Sequence, residues 1–427
     1  MQNLKSLSGI LIFISFLFTI YSYFFSEELF IFSGLFAWMA LILLFKGTSN
    51  IKLLISLLVL SFCFFTYSFI NDFKIDFAKA ILVNQYLLTL LIGVGFLRLI
   101  ATPKKDKLKE LPKGKNSFFK TYLGVHLFGS VINLSSLILV SDKLYKKAPL
   151  SKLQIIVITR AFSSDAYWSP FFVAFAAAST YAPNLSTSTI LITGISLAVV
   201  AFFITYLDVV LKHNIDEFKG YPLNFQSLYI PFLLALIVLV TNHYYPNLKV
   251  ILLIALFSVA MTVLILPFKV GIKKAIEKFS SHTIEELPKM RNELSLFLIA
   301  GMFGVSISSI LVGLNVQLPF DNLNGFTASC LLLVFILLSF VGIHPIISIA
   351  IIGNWMGDLN HTLLAVTFLM SWSTAVSTSP FSGLNLTMQS RYQLDTLEVF
   401  KINLPYALKM YIVCVIILFG LSHYLGL

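Results

Sequence analysis

The segment SSDAYWSPFF at residues 163–172 interrupts an apolar stretch that runs from Leu153 to Thr180. That stretch is longer than the roughly 20 residues that one membrane-spanning helix needs. Proline lacks an amide hydrogen and restricts the residue before it, so Pro170 should end the helix that precedes it. The segment also places an acid, Asp165, among apolar residues. We therefore predict a discontinuous span whose break lies at membrane depth.

A second segment, STAVSTSPFS at residues 373–382, repeats the first at an offset of 210 residues. The tripeptide Ser-Pro-Phe occupies 169–171 in one segment and 379–381 in the other. The second segment predicts another discontinuous span over 362–390, broken at Ser373-Thr374 and again around Pro380. The chain therefore contains an internal repeat.

The composition indicates lipid as the solvent. The chain is 58% hydrophobic and 11% charged, with a mean hydropathy of +0.90, which is more apolar surface than one water-soluble core could hide. The three cysteines have no CxxC spacing, so neither a disulfide framework nor a zinc site is indicated. No phosphate-binding loop of the GxxxxGK[ST] type, no metal-ligand cluster and no nucleophile elbow occurs in the sequence. We therefore expect an ion gradient, not ATP, to supply the energy, and we expect no cofactor and no enzymatic activity.

The net charge of +11 is explained by topology, because Lys and Arg are confined to short loops beside long apolar runs. We therefore expect no nucleic-acid partner. Basic loops alternate with acidic ones, which predicts a multi-pass protein of the bacterial inner membrane with a cytoplasmic amino terminus. The most basic stretch should be cytoplasmic; it contains Lys104, Lys105, Lys107, Lys109, Lys113, Lys115 and Lys120.

The apolar runs predict an all-α polytopic membrane protein with 11 transmembrane spans and two re-entrant hairpins. The spans are 8–25, 29–45, 52–70, 78–101, the broken span 153–180, 187–211, 228–242, 250–268, 294–312, the broken span 362–390, and 406–424.

The first hairpin is predicted at 121–142, where a polar middle at 129–136 separates two short apolar arms. If this piece crossed the membrane, the basic loop that follows would be periplasmic and would break the positive-inside rule. It should therefore enter from the cytoplasm and turn back. The second hairpin, 326–357, breaks at 342–345 and should enter from the periplasm. Irregular backbone at membrane depth implies a water-filled cavity.

These elements predict three regions: an extra first transmembrane helix at 1–28, a first repeat at 29–220 and a second repeat at 221–427. By the charge rule the two repeats have opposite topology. Inverted repeats are typical of secondary transporters, which bind their substrate near the midplane where discontinuous helices meet.

This layout resembles the ion-transporter superfamily that includes the divalent anion/sodium symporters, whose members have one extra helix and two inverted halves of five spans and a hairpin. In that family, Ser-Asn-Thr at the hairpin tips and Thr-Pro-Pro-x-Asn in the broken spans ring the substrate carboxylates and the coupling cations. Here the Ser-Pro-Phe tripeptides, with Asn385 downstream of the second, take the place of the latter motif. The tips at 133–136 and 342–345 depart from Ser-Asn-Thr. The resemblance implies the fold and a transport activity, and it leaves the coupling ion and the substrate open.

Small oxygen donors cluster at the predicted breaks and at the first tip, where free helix amino termini would favour an anion. The alternative is that these hydroxyls only satisfy freed backbone groups. The candidate substrate-binding residues are Asn133, Ser135, Ser136, Ser163, Ser164, Ser169, Ser373, Thr374, Ser377, Thr378, Ser379 and Asn385.

Two titratable residues are candidates for ion coupling. Asp165 lies at the first break, where an acid is costly enough to suggest a function. His344 lies at the second hairpin tip, where it could carry a proton, although a lone histidine is more often structural. Arg160 has three interpretations: a salt bridge with Asp165, attraction of an anionic substrate, or extension to the cytoplasmic face.

We therefore expect a secondary active transporter of a small anionic solute, coupled to H⁺ or Na⁺. One alternative is a cation/proton antiporter on the same scaffold, with Asp165 as an ion ligand. The other is a polytopic glycan polymerase or ligase, although such enzymes usually need a large periplasmic loop and the predicted outer loops are short. The expected partners are a small-molecule or ion substrate and the lipid bilayer, and a homodimer stays open.

Overall fold

The computed structural model describes residues 2–101, 110–221, 228–317, 319–320, 322–356 and 359–427. Across these residues the chain is built of helices, and no β-strand occurs among them. The prediction of an all-α protein is confirmed. Four members of the predicted cytoplasmic basic stretch, Lys104, Lys105, Lys107 and Lys109, lie outside the described residues.

The described part of the chain contains α-helices that we number in chain order. They are α1 (Gln2–Phe24), α2 (Phe30–Leu44), α3 (Ile51–Ile70), α4 (Phe77–Leu82), α5 (Gln85–Ala101), α6 (Lys115–Ile132), α7 (Leu134–Tyr145), α8 (Lys152–Ser163), α9 (Val173–Tyr181), α10 (Thr187–Lys212), α11 (Tyr229–Tyr244), α12 (Val250–Val270), α13 (Ile272–Ser281), α14 (Arg291–Gly313), α15 (Gly325–Phe340), α16 (Pro345–Trp355), α17 (His361–Thr378), α18 (Gly383–Tyr392) and α19 (Thr396–Tyr424).

Eight helical segments among the described residues are long and apolar enough to cross a membrane. They are formed by α1, α2, α3, α4 with α5, α10, α12, α13 with α14, and α19. Shorter apolar helices are α11, α15 and α16. The protein is therefore a helical polytopic membrane protein.

Large apolar side chains stand on the outside of these helices. Ile42 is 72% exposed, Phe62 73% and Phe268 92%. In water such a surface would be an aggregation hazard, whereas hydrocarbon solvates it at no cost. The exposure pattern therefore agrees with a lipid environment.

The chain divides into two compact units, each assembled from separate stretches. Unit 1 consists of Met1–Ala101, Ile230–Pro319 and Ile346–Gly357; unit 2 consists of Thr102–Tyr229, Phe320–Pro345 and Asp358–Leu427. Each unit takes helices from both predicted repeats. The arms of the second predicted hairpin are divided, since α15 belongs to unit 2 and α16 to unit 1. The predicted repeat boundaries themselves stay a prediction.

Glycines bring the helices of unit 1 into close contact. A Cβ on Gly93 would lie 2.6 Å from the carbonyl oxygen of Ala255, and one on Gly304 would lie 2.6 Å from that of Ala350. Small residues at helix contacts allow this approach, which supplies much of the packing energy between helices in lipid. These contacts join α5 to α12 and α14 to α16 within the unit.

Candidate functional site

The first break lies in unit 2 between α8 and α9. Helix α8 starts with a capping box made by Ser151 and Gln154, and it ends at Ser163 in a single 3₁₀ turn over Ser164–Tyr167. The backbone is then non-helical until α9 begins at Val173. This interruption coincides with the predicted break, and Pro170 explains why the helix does not continue.

Ser169 organises the backbone of this break. Its buried hydroxyl donates to the carbonyl oxygen of Ser130 near the end of α6, and it accepts a 3.2 Å hydrogen bond from the amide of Phe171. One side chain therefore satisfies two backbone groups, a carbonyl in the last turn of α6 and an amide in the non-helical segment of the break.

The second break repeats this arrangement. The buried hydroxyl of Ser379 donates to the carbonyl oxygen of Ser339 at 2.6 Å and accepts from the amide of Phe381 at 3.3 Å. Helix α17 ends at Thr378, and α18 begins at Gly383. The two serines, 210 residues apart, thus make the same pair of hydrogen bonds in the same unit.

The predicted additional break at Ser373-Thr374 is wrong, because both residues lie inside the continuous helix α17. The hydroxyl of Thr374 donates to the carbonyl oxygen of Met370, one turn earlier, at 2.9 Å. Such a back-bond lets a hydroxyl residue remain in a helix when water is absent. Helix α17 is ended by Pro380, because a proline disfavours the helical conformation of the residue before it.

The first hairpin tip is a single residue, Asn133, which joins α6 to α7 with a positive φ of 49°. Its Nδ2 lies 3.4 Å from the carbonyl oxygen of Phe171 at the first break. Its Oδ1 is buried and has no hydrogen-bond partner among the described residues. Of the two predicted serines that follow, Ser136 is buried and donates to the Asn133 carbonyl oxygen at 3.1 Å, and Ser135 is half-buried.

The turn between α15 and α16 contains Gly342, whose φ of +100° suits glycine. His344 follows it and is half-buried. The ring of His344 meets that of Trp372 edge to face, with the ring centroids 5.2 Å apart. This contact joins the turn to the middle of α17, upstream of the second break.

Asp165 is fully buried, and the group beside it is His126 of α6, which the sequence analysis did not select. The imidazole Nδ1 of His126 lies 2.7 Å from Asp165 Oδ1. Neither oxygen of Asp165 has an aligned hydrogen-bond partner among the described residues, so the contact is short but poorly directed. A single histidine inside an apolar helix was the available signal, since ionisable groups at this depth are costly.

The other ring nitrogen of His126 fixes its tautomer. Trp168 Nε1 lies 3.2 Å from His126 Nε2, and an indole N–H can only donate. His126 Nε2 must therefore carry a lone pair, which places the ring proton on Nδ1. Nδ1 also lies 3.0 Å from Ser164 Oγ and 3.1 Å from the carbonyl oxygen of Ala161.

Arg160 neither pairs with Asp165 nor extends to the surface, so both of those interpretations are wrong. It is 3% exposed, and its Nη1 donates to Asp208 Oδ2 on α10 at 2.9 Å. Its Nε donates to Asn403 Oδ1 on α19 at 3.0 Å, and its guanidinium stacks 4.4 Å from the Tyr406 ring centroid. Residues five apart on a helix do not share a face, which explains why Asp165 is not its partner.

The remaining candidate residues cluster at the two breaks of unit 2 and are buried. Ser163, Ser377 and Thr378 donate to backbone carbonyls of their own helices, as the structural alternative expects. Asn385 differs, because its Nδ2 donates to the Ser379 carbonyl oxygen at 2.8 Å while its Oδ1 has no partner among the described residues. Side-chain oxygens without a hydrogen bond among the described residues therefore remain at Asn133, Asp165 and Asn385.

No family model and no curated protein matches the chain. The resemblance to the divalent anion/sodium symporters therefore stays a prediction that rests on the sequence layout.

Proposed function

We propose that the chain is a secondary active transporter of a small anionic solute, coupled to H⁺ or Na⁺, and not an enzyme. The observation that carries the proposal is the duplicated serine arrangement at the two helix breaks. Ser169 and Ser379 make equivalent hydrogen bonds at an interval of 210 residues, and both breaks belong to one compact unit. Paired discontinuous helices are the usual construction of a transporter substrate site.

The chemistry of the breaks suits an anion. Helices α9 and α18 begin at the breaks. The first amides of a helix have no intrahelical acceptor, and the amino terminus of the helix carries a partial positive charge. The amide side chains of Asn133 and Asn385 add further hydrogen-bonding groups at the two breaks. The hydroxyls of Ser169 and Ser379 hold the backbone of each break in place, and we assign them a positioning role.

The first hairpin has both ends fastened to segments that the charge rule assigns to the cytoplasm. Before α6, the amide of Gly114 donates to the carbonyl oxygen of Phe218 at 2.9 Å. At the end of α7, Asp142 pairs with Arg391 at 3.1 Å and accepts a 2.8 Å hydrogen bond from the Tyr392 hydroxyl. Burial and the neighbouring Asp142 raise the pKa of Tyr392 well above its usual range, so this hydroxyl stays a donor.

On the opposite side, segments assigned to the periplasm lie together. The amide of Asn184 donates to His361 Nδ1 at 2.9 Å, and that of Ser186 donates to Thr362 Oγ1 at 2.9 Å. The first residue of α15, Gly325, donates its amide to the Ser422 hydroxyl near the end of α19 at 2.9 Å. These pairings support oppositely oriented halves, in which α6–α7 enters from inside and α15–α16 from outside.

The detailed topology that we propose has 11 spans and two re-entrant hairpins in inverted repeats. The eight long segments supply eight spans, α11 a ninth, and the broken pairs α8–α9 and α17–α18 the remaining two. We place the protein in the bacterial inner membrane with its amino terminus in the cytoplasm, because that orientation puts the basic loops inside. The partners are the solute and the bilayer.

Uptake into proteoliposomes tests the proposal. The purified protein is reconstituted, and a panel of radiolabelled organic and inorganic anions is offered under an imposed proton or sodium gradient. We expect at least one anion to accumulate above protein-free vesicles, and Asn385→Ala to abolish this uptake. Thr387→Ala, at a half-buried position on α18, is the matched control and should keep it. Absence of accumulation of every anion by the folded protein under both gradients would reject the proposal.

A cation/proton antiporter is the second candidate, and it is favoured by Asp165, whose oxygens have no aligned hydrogen bond among the described residues. Flux of Na⁺, K⁺ and H⁺ measured in the same vesicles without any anionic solute separates the two. An antiporter exchanges cations under these conditions and loses the exchange in Asp165→Asn, whereas an anion symporter stays silent until its solute is added.

A further inference from the structure

We propose that His126 and Asp165 form a one-proton binding site, in which the proton resides on Asp165 while Trp168 holds His126 in its neutral form. The inference rests on the proposed transport function and names the proton as its coupling ion. Its three residues lie within unit 2, on α6 and at the first break.

The burial of Asp165 requires a compensating charge. The side chain is fully buried, and neither of its oxygens has an aligned hydrogen bond among the described residues. An ionised carboxylate in such a place is strongly disfavoured. With a neutral His126 the pair carries one negative charge, which a single additional proton removes. That proton can reside on the imidazole or on the carboxylate.

Trp168 decides between these two positions. An imidazolium would present an N–H at Nε2, which lies 3.2 Å from the Trp168 Nε1 that also carries a hydrogen. Two donors cannot share that bond, so protonation of His126 would force the indole away. The observed contact therefore assigns the proton to the carboxylate of Asp165, whose Oδ1 lies 2.7 Å from His126 Nδ1.

Charges on the surrounding elements do not provide an alternative partner in the part of the chain that the structure describes. The 3₁₀ turn that carries Asp165 packs against α6, α8, α9, α10 and α17. Arg160 on α8 is paired with Asp208 on α10. The other titratable residues of these helices are Lys115, Lys120, Tyr122, Lys152, Tyr181, Tyr206, Lys212 and His361. Of these, Tyr122 is close, with its hydroxyl 3.5 Å from Ser164 Oγ.

The geometry favours a proton over a metal cation. Hard cations take several oxygen ligands, whereas a proton needs one. Asp165 is the only carboxylate at the first break among the described residues, and no group of three or more His, Cys, Asp or Glu gathers anywhere in them. Gly129 of α6 also lies close to the carboxylate, since a Cβ there would fall 2.1 Å from Asp165 Oδ2. This leaves little room on that side for further ligands.

The proton step is simple. In the closed arrangement Asp165 carries the proton as a carboxylic acid. When water reaches the break, the O–H bond of the Asp165 acid ionises, the proton passes to water and the carboxylate becomes hydrated. Reprotonation from the opposite side restores the neutral pair. A transporter that alternates access at this break would therefore move one proton per cycle.

Infrared spectroscopy of the full-length protein in lipid vesicles, without any solute, tests the site. The wild type should show the carbonyl stretch of a buried carboxylic acid, shifted in D₂O. We expect Asp165→Asn to lose this band and Asp142→Asn, a half-buried acid that is paired with Arg391, to keep it. A wild-type spectrum that holds only an ionised Asp165 would overturn the proposal.

The Trp168→Phe variant tests the role of the indole and serves if Asp165→Asn does not fold. Without the N–H donor, His126 Nε2 is free to take the proton, so the acid band should give way to a carboxylate band. Trp38→Phe, whose indole bonds to the carbonyl oxygen of Ile81, should keep the acid band. An unchanged band in Trp168→Phe would refute the assignment of the proton by Trp168. Because no flux is measured, these outcomes are independent of the transport assay.

Discussion

Ser373 Oγ donates a 2.8 Å hydrogen bond to the backbone carbonyl oxygen of Ser163, which lies 210 residues earlier in the chain. The same interval separates Ser169 from Ser379. Ser373 therefore binds the residue that occupies its own position in the other proposed repeat. Equivalent positions of two repeats meet only beside the axis that relates them, so this bond marks the axis of the proposed inverted symmetry.

Replacing Ser373, the donor, should lower the stability of the protein more than replacing the side chain of Ser163. Ser373→Ala leaves the buried carbonyl of Ser163 without this bond, and we expect it to lower the free energy of unfolding by about 1–3 kcal/mol. In Ser163→Ala the carbonyl remains, and the lost hydroxyl had donated to the backbone carbonyl of Arg160 in its own helix. Thermal denaturation in detergent compares the two. Equal losses of melting temperature would contradict the role of the bond.

Each of the two serines that organise the breaks should contribute to the stability of the protein. Ser169→Ala and Ser379→Ala each remove a donor to one backbone carbonyl and an acceptor for one amide. Each variant should lose about 1–3 kcal/mol of stability, because the carbonyl that loses its donor is buried in both. Ser196→Ala, on the exposed face of α10, is the control and should stay within about 0.5 kcal/mol. If all three variants melt together, the hydroxyls do not hold the breaks.

Gly129→Ala should disturb the acid at the first break. The added Cβ would meet Asp165 Oδ2 at 2.1 Å, which forces the carboxylate or α6 to move. Overpacking of this kind costs about 1–3 kcal/mol, and we expect gradient-driven uptake to fall with it. The matched helical glycine is Gly420, where a Cβ meets nothing within 4 Å. Gly420→Ala should be neutral or slightly stabilising in the same melting and uptake assays.

The buried ion pair should respond asymmetrically to truncation. Asp208→Asn leaves the guanidinium of Arg160, which is 3% exposed, without a counterion. The loss should be about 3–5 kcal/mol. Arg160→Met should cost less, because Asp208 still contacts Lys409 and lies 3.4 Å from Lys212. Chemical unfolding in mixed micelles ranks the two variants, and the reverse order would show that Asp208 depends on Arg160 alone.

Helix α13 should lie in the membrane interface. Ile272 and Ile276 occupy one face and are 72% and 65% exposed, while Lys274 and Lys278 occupy the other. A helix of this pattern buries its apolar face at the boundary of the acyl chains. A nitroxide at position 276 should therefore be relaxed by oxygen more than by a water-soluble chelate. One at position 274 should show the opposite, and equal accessibilities would place α13 in water.

The membrane class and the breaks were predictable because they depend on local chemistry. Apolar length reveals spans, and Pro170 and Pro380 remove backbone donors wherever they are placed. Ser373-Thr374 misled for a local reason too, since a hydroxyl that bonds back to its own helix resembles a break in sequence alone. The side-chain partners were not predictable. His126 lies 39 residues from Asp165, and Asn403 lies 243 residues from Arg160, so only tertiary packing reveals either contact.

The division into two units was also hidden, because each unit is assembled from both halves of the chain. Hydropathy and charge describe each span by itself, and they say nothing of which spans pack together. The separation of α15 from α16, which the sequence presents as one hairpin, is an example.

The contacts of Arg160 bear on how the chain is made. Its acidic partner, Asp208, follows 48 residues later, whereas Asn403 follows after 243. At roughly 5–20 residues per second, the acid emerges from the ribosome about 2–10 s after the arginine, and the amide about 12–49 s after it. Asp208 can thus neutralise the nascent Arg160 early, but Asn403 becomes available only after more than half of the chain has been translated. A nascent chain stalled before α19 should therefore be a favoured substrate for membrane quality-control proteases.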